Sequence, residues 1–373
     1  MEGLKSKLLI VYAGKTTTAE ILIRLMDEYA KIRKVEVRAK EVLSLSSEDI
    51  NWSDTLIAVR GADFFLSRII IKAKKNGKQC VLYLDDDLLS LYGSQSDYYS
   101  YLIDCFEHID ILWGSNKRIL ERCAPYISKD TKCVDAIVLD PWNEVQKYTN
   151  ESENVKIVFA GSPSHESVVL RYILPALDLL YSNYNKIEVI FVGYKNTSLD
   201  NAAPFIKTTE WFDDVDAYRN YLVEEGTQIG LAVVEDSQFG KCKFYNKFFE
   251  YTKLGVVGIY SNCEPYTMII KDGENGFLTN NSVRDWASTI MKVINESDLR
   301  RKCVENAQKL LYERFSTKKI IQSINESIPE LEDYRSEKSE IKYNARMLIY
   351  CYRIKRLISF FVHPIKLIDR IKR

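Results

Sequence analysis

Residues 155–177, VKIVFAGSPSHESVVLRYILPAL, read as one complete strand–turn–helix unit. Val155–Ala160 is apolar except for Lys156, the pattern of a strand buried on both faces. Gly161, Ser162, Pro163 and Ser164 turn the chain. Gly allows close backbone approach, and Ser and Pro suit the start of a helix. A helix then opens at about His165-Glu166.

The same rhythm extends in both directions. Upstream, apolar runs at 7–13, 35–38, 55–60, 79–84, 110–113 and 132–139 predict strands. Helical patterns lie between them near 17–34, 62–76, 96–108 and 116–124. Downstream, runs at 187–193, 228–233 and 256–260 predict strands, with helices near 214–225, 243–254, 282–294 and 297–312. Alternating strands and helices predict an α/β fold with parallel sheets. The rhythm pauses at DPWNEVQKYTNESEN, residues 140–154, a polar stretch without periodicity that reads as a linker. Two doubly wound, Rossmann-like domains follow, over 1–145 and 150–328, with a cleft between them and a basic tail over 329–373. Open α/β sheets bind ligands at the carboxyl ends of their strands, so the candidate chemistry belongs in those loops.

Composition narrows the function. Of 373 residues, 52 are Lys or Arg and 52 are Asp or Glu, so no global charge points to nucleic acid. The balance hides a tail: residues 341–373 hold nine basic side chains and one acid, Asp369. The eight cysteines form no CxxC pair and have no His at zinc spacing, which predicts structural thiols in a reducing, cytoplasmic protein. The N-terminal apolar run is too short for a signal peptide, and no segment reaches the length of a membrane span.

Several motifs drop out. Gly14-Lys15-Thr16 follows a strand, but a phosphate loop needs a Gly where Leu9 stands. There is no GxGxxG after the first strand and no GxSxG. Asp85-Asp86-Asp87 after the strand CVLYL has three readings. The acids could cap a helix at its positive end, serve an acceptor site, or hold a divalent ion through oxygen ligands.

Two segments supply a site. The first is the mouth of the helix after Gly161, where free N–H groups and the helix dipole suit a phosphate and His165 could donate to it. A surface His at a helix start is the plain alternative. The second is GKCKFYNKFFEYTKLGVVGIYSNCEPY, residues 240–266. On a helix over 243–254, Lys243, Lys247 and Glu250 fall at i, i+4 and i+7 on one face. Two lysines so placed repel unless an anion lies between them. Glu250 could accept from vicinal hydroxyls such as those of a ribose, and a plain Lys247–Glu250 surface pair is the alternative. Together these are the parts of a nucleoside-diphosphate site.

AGSPSHE, FVG at 191–193, KCKFYNKFFEYTKLG, IYSNCEPY, DGENGFL and Trp286 in this order resemble the nucleotide-sugar domain of GT-B glycosyltransferases. The resemblance is to the family 4-like (group 1) enzymes of bacterial surface-polysaccharide synthesis, such as capsule or O-antigen. It covers about 155–315. YLDDDLL at 83–89 and WGSN at 113–116 resemble the acceptor domain more weakly. The resemblance implies that Glu250 binds the donor ribose, that Lys247 lies near the diphosphate, and that Gly161 belongs to the first phosphate loop. Ser162 and His165 stand where that loop often carries Arg and Lys, and Tyr266 closes the IYSNCEPY segment. The first Glu of the family's two-glutamate motif is replaced by Cys242, which Lys243 would partly offset.

The reaction that the resemblance implies is transfer from a nucleoside-diphosphate sugar to a glycan or polyprenyl-diphosphate-linked acceptor, with retention of configuration and no metal or further cofactor. Lys243, Lys247 and His165 would stabilise the leaving diphosphate. An inverting route would need a base, for which Asp85, Asp87 and His108 are the candidates. A catalytically degenerate binding subunit and a nucleotide-sugar epimerase are the alternative readings. The tail, MLIYCYRIKRLISFFVHPIKLIDRIKR, mixes basic and apolar residues and reads as a cationic amphipathic helix broken at Pro364. It predicts peripheral contact with an anionic membrane surface; packing against the domains is the alternative.

Overall fold

The computed structural model describes residues 5–148, 154–162, 165–337, 340–344, 346–350 and 352–353. The chain divides into two compact units, one made of 1–141 together with residues from Ile320 onward, the other of Trp142–Lys319.

The first unit holds six strands: β1 (Ser6–Tyr12), β2 (Val35–Glu41), β3 (Thr55–Val59), β4 (Gln79–Leu84), β5 (Ile111–Gly114) and β6 (Lys132–Val134). They form one sheet in the order β2-β1-β3-β4-β5-β6, and every pair is parallel. β3 and β4 are buried at every position, as their unbroken apolar runs require. Helices cross between the strands and carry side-chain caps at their starts: Thr16 for Thr17–Ile32, Asp63 for Phe64–Lys75, Ser96 for Asp97–Phe106 and Asn116 for Lys117–Cys123. Thr16, the last residue of the incomplete phosphate-loop pattern, is therefore a helix cap.

The second unit repeats the plan with β7 (Val155–Ala160), β8 (Ile187–Val192), β9 (Ile206–Thr209), β10 (Ile229–Ala232), β11 (Val257–Ser261) and β12 (Phe277–Thr279). Their order is β12-β11-β10-β7-β8-β9, again all parallel. Its core runs from β7 and β8 through Val169, Ile173 and Leu177 to Trp286 and Ile290. The doubly wound α/β architecture expected from sequence is present in both units. Two edge strands, β9 (IKTT) and β12 (FLT), had no sequence signal, because three or four residues at a sheet edge show no apolar run.

The helix after β7 runs as Glu166–Val168, a π-helical turn over Val169–Ile173, and Leu174–Tyr181. Pro175 cannot donate to the carbonyl four residues back and its ring crowds it; the wider turn relieves that crowding.

Part of the stretch read as a linker packs on the second unit. The Trp142 indole donates to the Phe315 carbonyl at 3.0 Å and meets the Tyr312 ring at 4.8 Å, and the Gln146 amide donates to Lys253. Residues after Ile320 pack on the first unit. Arg33 pairs with Glu332, Lys132 with Glu330, and the Tyr29 hydroxyl donates to Asn325. The basic tail begins the same way: the Ile341 and Tyr343 amides donate to Asn51 and Ser47, and the Tyr352 ring lies 5.1 Å from Phe64. Leu357–Ile365, Pro364 and the rest of the tail from 354 lie outside the described residues. Among the described residues no helix is long and apolar enough to cross a membrane.

Candidate functional site

A parallel sheet opens a crevice where the strand order reverses, at the carboxyl ends of the two strands on either side. In the second unit that point lies between β7 and β10. Gly161, Ser162 and His165 follow β7; Lys243, Lys247 and Glu250 follow β10. The topology thus brings the two sequence segments to one place.

The loop after β7 is held from two sides. The Gly161 amide donates to the Val192 carbonyl at 3.3 Å, and the Tyr194 hydroxyl donates to the Ser162 carbonyl at 3.1 Å. Gly193 has φ +90°, and a Cβ there would lie 2.6 Å from the Gly161 oxygen, so only Gly allows this approach. His165 stands at the helix start with φ −90° and ψ 0°, its amide donating to the Ser162 carbonyl at 3.0 Å. Its ring Nδ1 is 3.3 Å from the Ser162 hydroxyl. Burial lowers the His165 pKa from its ordinary 6.5, and the charges of Lys243 and, less, Lys247 lower it further. Two lysines and a histidine therefore share one field.

The helix carrying Lys247 and Glu250 is Asn246–Lys253, shorter than the expected 243–254. Lys243 precedes it, in the turn after the short helix Gln238–Lys241, with its ammonium 4.6 Å from the Phe239 ring. The single helical face proposed for Lys243, Lys247 and Glu250 is thus corrected: the turn at 242–245 breaks it, and Lys243 reaches the same region from the turn. Phe248 and Phe249 bury the other side of the helix, while Lys247 and Glu250 share one face and stay partly exposed, with the Lys247 ammonium 5.8 Å from the Tyr251 ring. The Lys247 ammonium donates to Glu250 Oε1 at 2.7 Å. Tyr218, from the helix Val215–Glu224, donates its hydroxyl to the same oxygen. Tyr266 is buried with its ring 4.8 Å from Tyr260; burial raises its pKa, and the Glu250 charge adds to the effect. Cys242 is fully buried, with the Gln238 amide nitrogen 3.8 Å from its sulfur.

Sequence reasoning missed Tyr218, Tyr194 and Trp211. None lies in a recognisable spacing, and each reaches the site only through the fold. Trp211 is 53% exposed, yet its ring is what a Cβ on Gly193 would strike at 2.9 Å. It is an open aromatic face beside the Gly161 loop.

In the first unit the order reverses between β1 and β3. Asp85, at the end of β4, accepts from the Thr18 hydroxyl and faces Arg60 Nε at 2.9 Å, without hydrogen-bond alignment. Arg60 Nη2 also holds Asp86 at 2.7 Å. Arg60 has φ +65°, a left-handed conformation uncommon for a non-Gly residue. Burial raises the Asp85 pKa despite the opposing pull of Arg60. Asp87 caps the helix Leu88–Tyr92 through the Ser90 amide at 3.1 Å and lies 3.4 Å from Arg122 Nε. The three acids thus separate into an arginine-bound pair and a helix cap. His108 follows the helix Asp97–Phe106 and precedes β5, at the amino edge of the sheet, so it lies at the opposite edge from Asp85.

Residues 247–310, beginning at Lys247 and including Glu250, match the family model for glycosyl transferases group 1. Among solved structures, the chain is similar to Anabaena HepE bound to UDP and glucose, at 13% identity, 87% of this chain, 100% of that chain and a TM-score of 0.64. Sucrose-phosphate synthase of Thermosynechococcus elongatus matches at 9% identity, 87% and 99% coverage and a TM-score of 0.63. The pneumococcal O-GlcNAc transferase GtfA, bound to UDP and GlcNAc, matches at 15% identity, 76% of this chain, 58% of that chain and a TM-score of 0.54. At these identities the likeness is one of fold. No curated protein sequence matches the chain. A segment of the second unit thus matches glycosyl transferases group 1, and the two all-parallel six-stranded sheets have the GT-B fold of glycosyltransferases.

Proposed function

We propose that the chain transfers a sugar from a nucleoside-diphosphate donor, UDP-linked in the first instance, to a glycan acceptor in surface-polysaccharide assembly. The observation that carries this reading is the convergence of His165, Lys243, Lys247 and Glu250 at one strand-order reversal. Glu250 would accept from the donor ribose. Lys243, Lys247 and the helix start at His165 would lie along the diphosphate. Trp211 offers a face for the base.

In the reaction, the bond from the sugar C1 to the diphosphate oxygen breaks and a bond from C1 to an acceptor hydroxyl oxygen forms. Configuration is retained when the acceptor enters on the face the diphosphate leaves. The hydroxyl proton then passes to a departing phosphate oxygen. The protein's task is to stabilise charge on the leaving group, a contribution of about 3–4 kcal/mol for one well-placed donor in a dry site. Lysines and a helix start can do this without a metal. HepE and GtfA, of the same fold, are bound to UDP in the structures compared above, which supports the choice of donor. A polyprenyl-linked acceptor and a membrane-bound tail belong to the same reading.

A second reading, a binding subunit without turnover, is favoured by Cys242, whose buried thiol cannot replace a carboxylate on the donor sugar.

Thermal unfolding with UDP, GDP, dTDP, CDP and ADP tests the site. A ligand at about 100 times its Kd adds about 2.7 kcal/mol of stability. One nucleotide is expected to raise Tm, and Glu250→Ala to remove the rise. No rise with any of the five would refute the site. A rise with no transfer or donor hydrolysis would leave the binding-subunit reading.

A further inference from the structure

Glu250 is held in an unequal way. Its Oε1 accepts from both the Lys247 ammonium, at 2.7 Å, and the Tyr218 hydroxyl. Its Oε2 has no hydrogen-bond or ion-pair partner among the described residues. The carboxylate is therefore anchored by one oxygen and presents the other. The two anchors differ in kind. Lys247 is a flexible cation, 3.4 Å from the Tyr218 hydroxyl and 5.4 Å from its ring. Tyr218 is a planar ring on the separate helix Val215–Glu224, 6.0 Å from the Phe212 ring. Burial, reinforced by the Glu250 charge, raises its pKa well above the ordinary 10, so at neutral pH it is a proton donor to Glu250.

We infer that Tyr218 is a positioning residue that keeps Glu250 aimed at the donor's ribose hydroxyls once Lys247 has turned to the diphosphate. The inference rests on the nucleotide reading above. A bound diphosphate competes with Glu250 for the Lys247 cation. The ribose hydroxyls then donate to Oε2, and only Tyr218 still fixes Oε1. A carboxylate held at one oxygen by a rigid phenol keeps its direction; one held only by a departing lysine does not. Hydrogen bonds to a charged group are among the stronger ones, so a well-aimed Oε2 discriminates ribose from a sugar lacking both hydroxyls.

The test is the ratio of affinities for UDP and 2′,3′-dideoxy-UDP, measured by titration calorimetry on the full chain; if another nucleoside diphosphate stabilises the protein in its place, that nucleotide and its dideoxy form are used. The wild type is expected to favour the ribonucleotide. Tyr218→Phe keeps the ring and removes the donor. It is expected to weaken UDP binding about tenfold, the order expected from one hydrogen bond to a charged group, while dideoxy-UDP is bound as before. A merely structural role would lower both affinities together, or lower Tm alone, and would overturn the inference. Tyr218→Phe with an unchanged ratio, while Glu250→Ala abolishes it, overturns the positioning role and leaves the ribose site standing. A wild type that binds both nucleotides alike, or neither, overturns the ribose site and this inference with it.

Discussion

His165 and Arg60 show how single residues are set by charge and burial. His165 is held below its ordinary pKa by burial, then by Lys243. In free protein near neutral pH the ring is therefore neutral. A bound diphosphate supplies negative charge and raises that pKa, so binding takes up part of a proton. Calorimetry in buffers of different ionisation heat is expected to show proton uptake at pH 6–6.5. His165→Gln is expected to remove the part of the uptake that the nucleotide's own phosphate does not account for. For folding the sign is opposite. The folded pKa is depressed, so below about pH 6.5 the unfolded chain binds the proton first and this residue's effect on stability becomes unfavourable. His165, Lys247 and Glu250 were legible as candidates because a Gly/Ser turn before a helix and a Lys–Glu spacing on a helix flag them. Tyr218 and Trp211 were not, because an aromatic residue in a polar stretch carries no signal until a partner is beside it.

At the scale of elements, helix ends and sheet edges depart most from the sequence reading. The helix Asn246–Lys253 begins later than its apolar pattern suggests, because Phe244 and Tyr245 are buried or stacked in the turn before it. Periodicity cannot separate an aromatic turn from a first helical turn. Arg300 is an element-level device of another kind. It is 2% exposed, and its Nη1 donates to the Val293 and Ile294 carbonyls at 2.9 and 2.6 Å, closing the end of the helix Val283–Asn295. Its Nε donates to the Tyr148 hydroxyl at 2.8 Å. Arg300→Leu is expected to destabilise the second unit by about 2–4 kcal/mol, since two buried carbonyls lose their donor. The exposed neighbour change Arg301→Leu is expected to stay within about 0.5 kcal/mol. Urea unfolding followed by intrinsic fluorescence compares the two.

For the whole molecule, the chain after the second unit is part of the first. Ile320, Ile321, Ile324, Ile328, Leu331 and Ile341 are all buried. Each is worth about 1.5–3 kcal/mol on burial, and their sum is comparable with the 5–15 kcal/mol stability of a typical domain. A chain ending at Lys319 is expected to lose the first unit's cooperative unfolding transition in calorimetry. A chain ending at Arg353 removes six basic residues, Lys355, Arg356, Lys366, Arg370, Lys372 and Arg373, and keeps all six of these buried residues. It is expected to keep its Tm and nucleotide binding but to stop co-sedimenting with vesicles rich in anionic lipid. Each basic residue near such a surface contributes about 1 kcal/mol, so the loss would be complete at moderate salt. Equal co-sedimentation of the full and shortened chains would instead place the tail's function in packing.

The sequence by itself determined that this protein is doubly wound α/β, because strands buried on both faces write continuous apolar runs between amphipathic helices. It also determined where the nucleotide-site candidates lie, since a turn of Gly and Ser before a helix and a Lys–Glu spacing on a helix are local patterns. The tertiary structure alone decided which candidates meet. The strand order sets His165 beside Lys243 and Lys247 and ties Asp85 and Asp86 to Arg60. Strand order is a property of non-local pairing, and no local pattern of side chains encodes it.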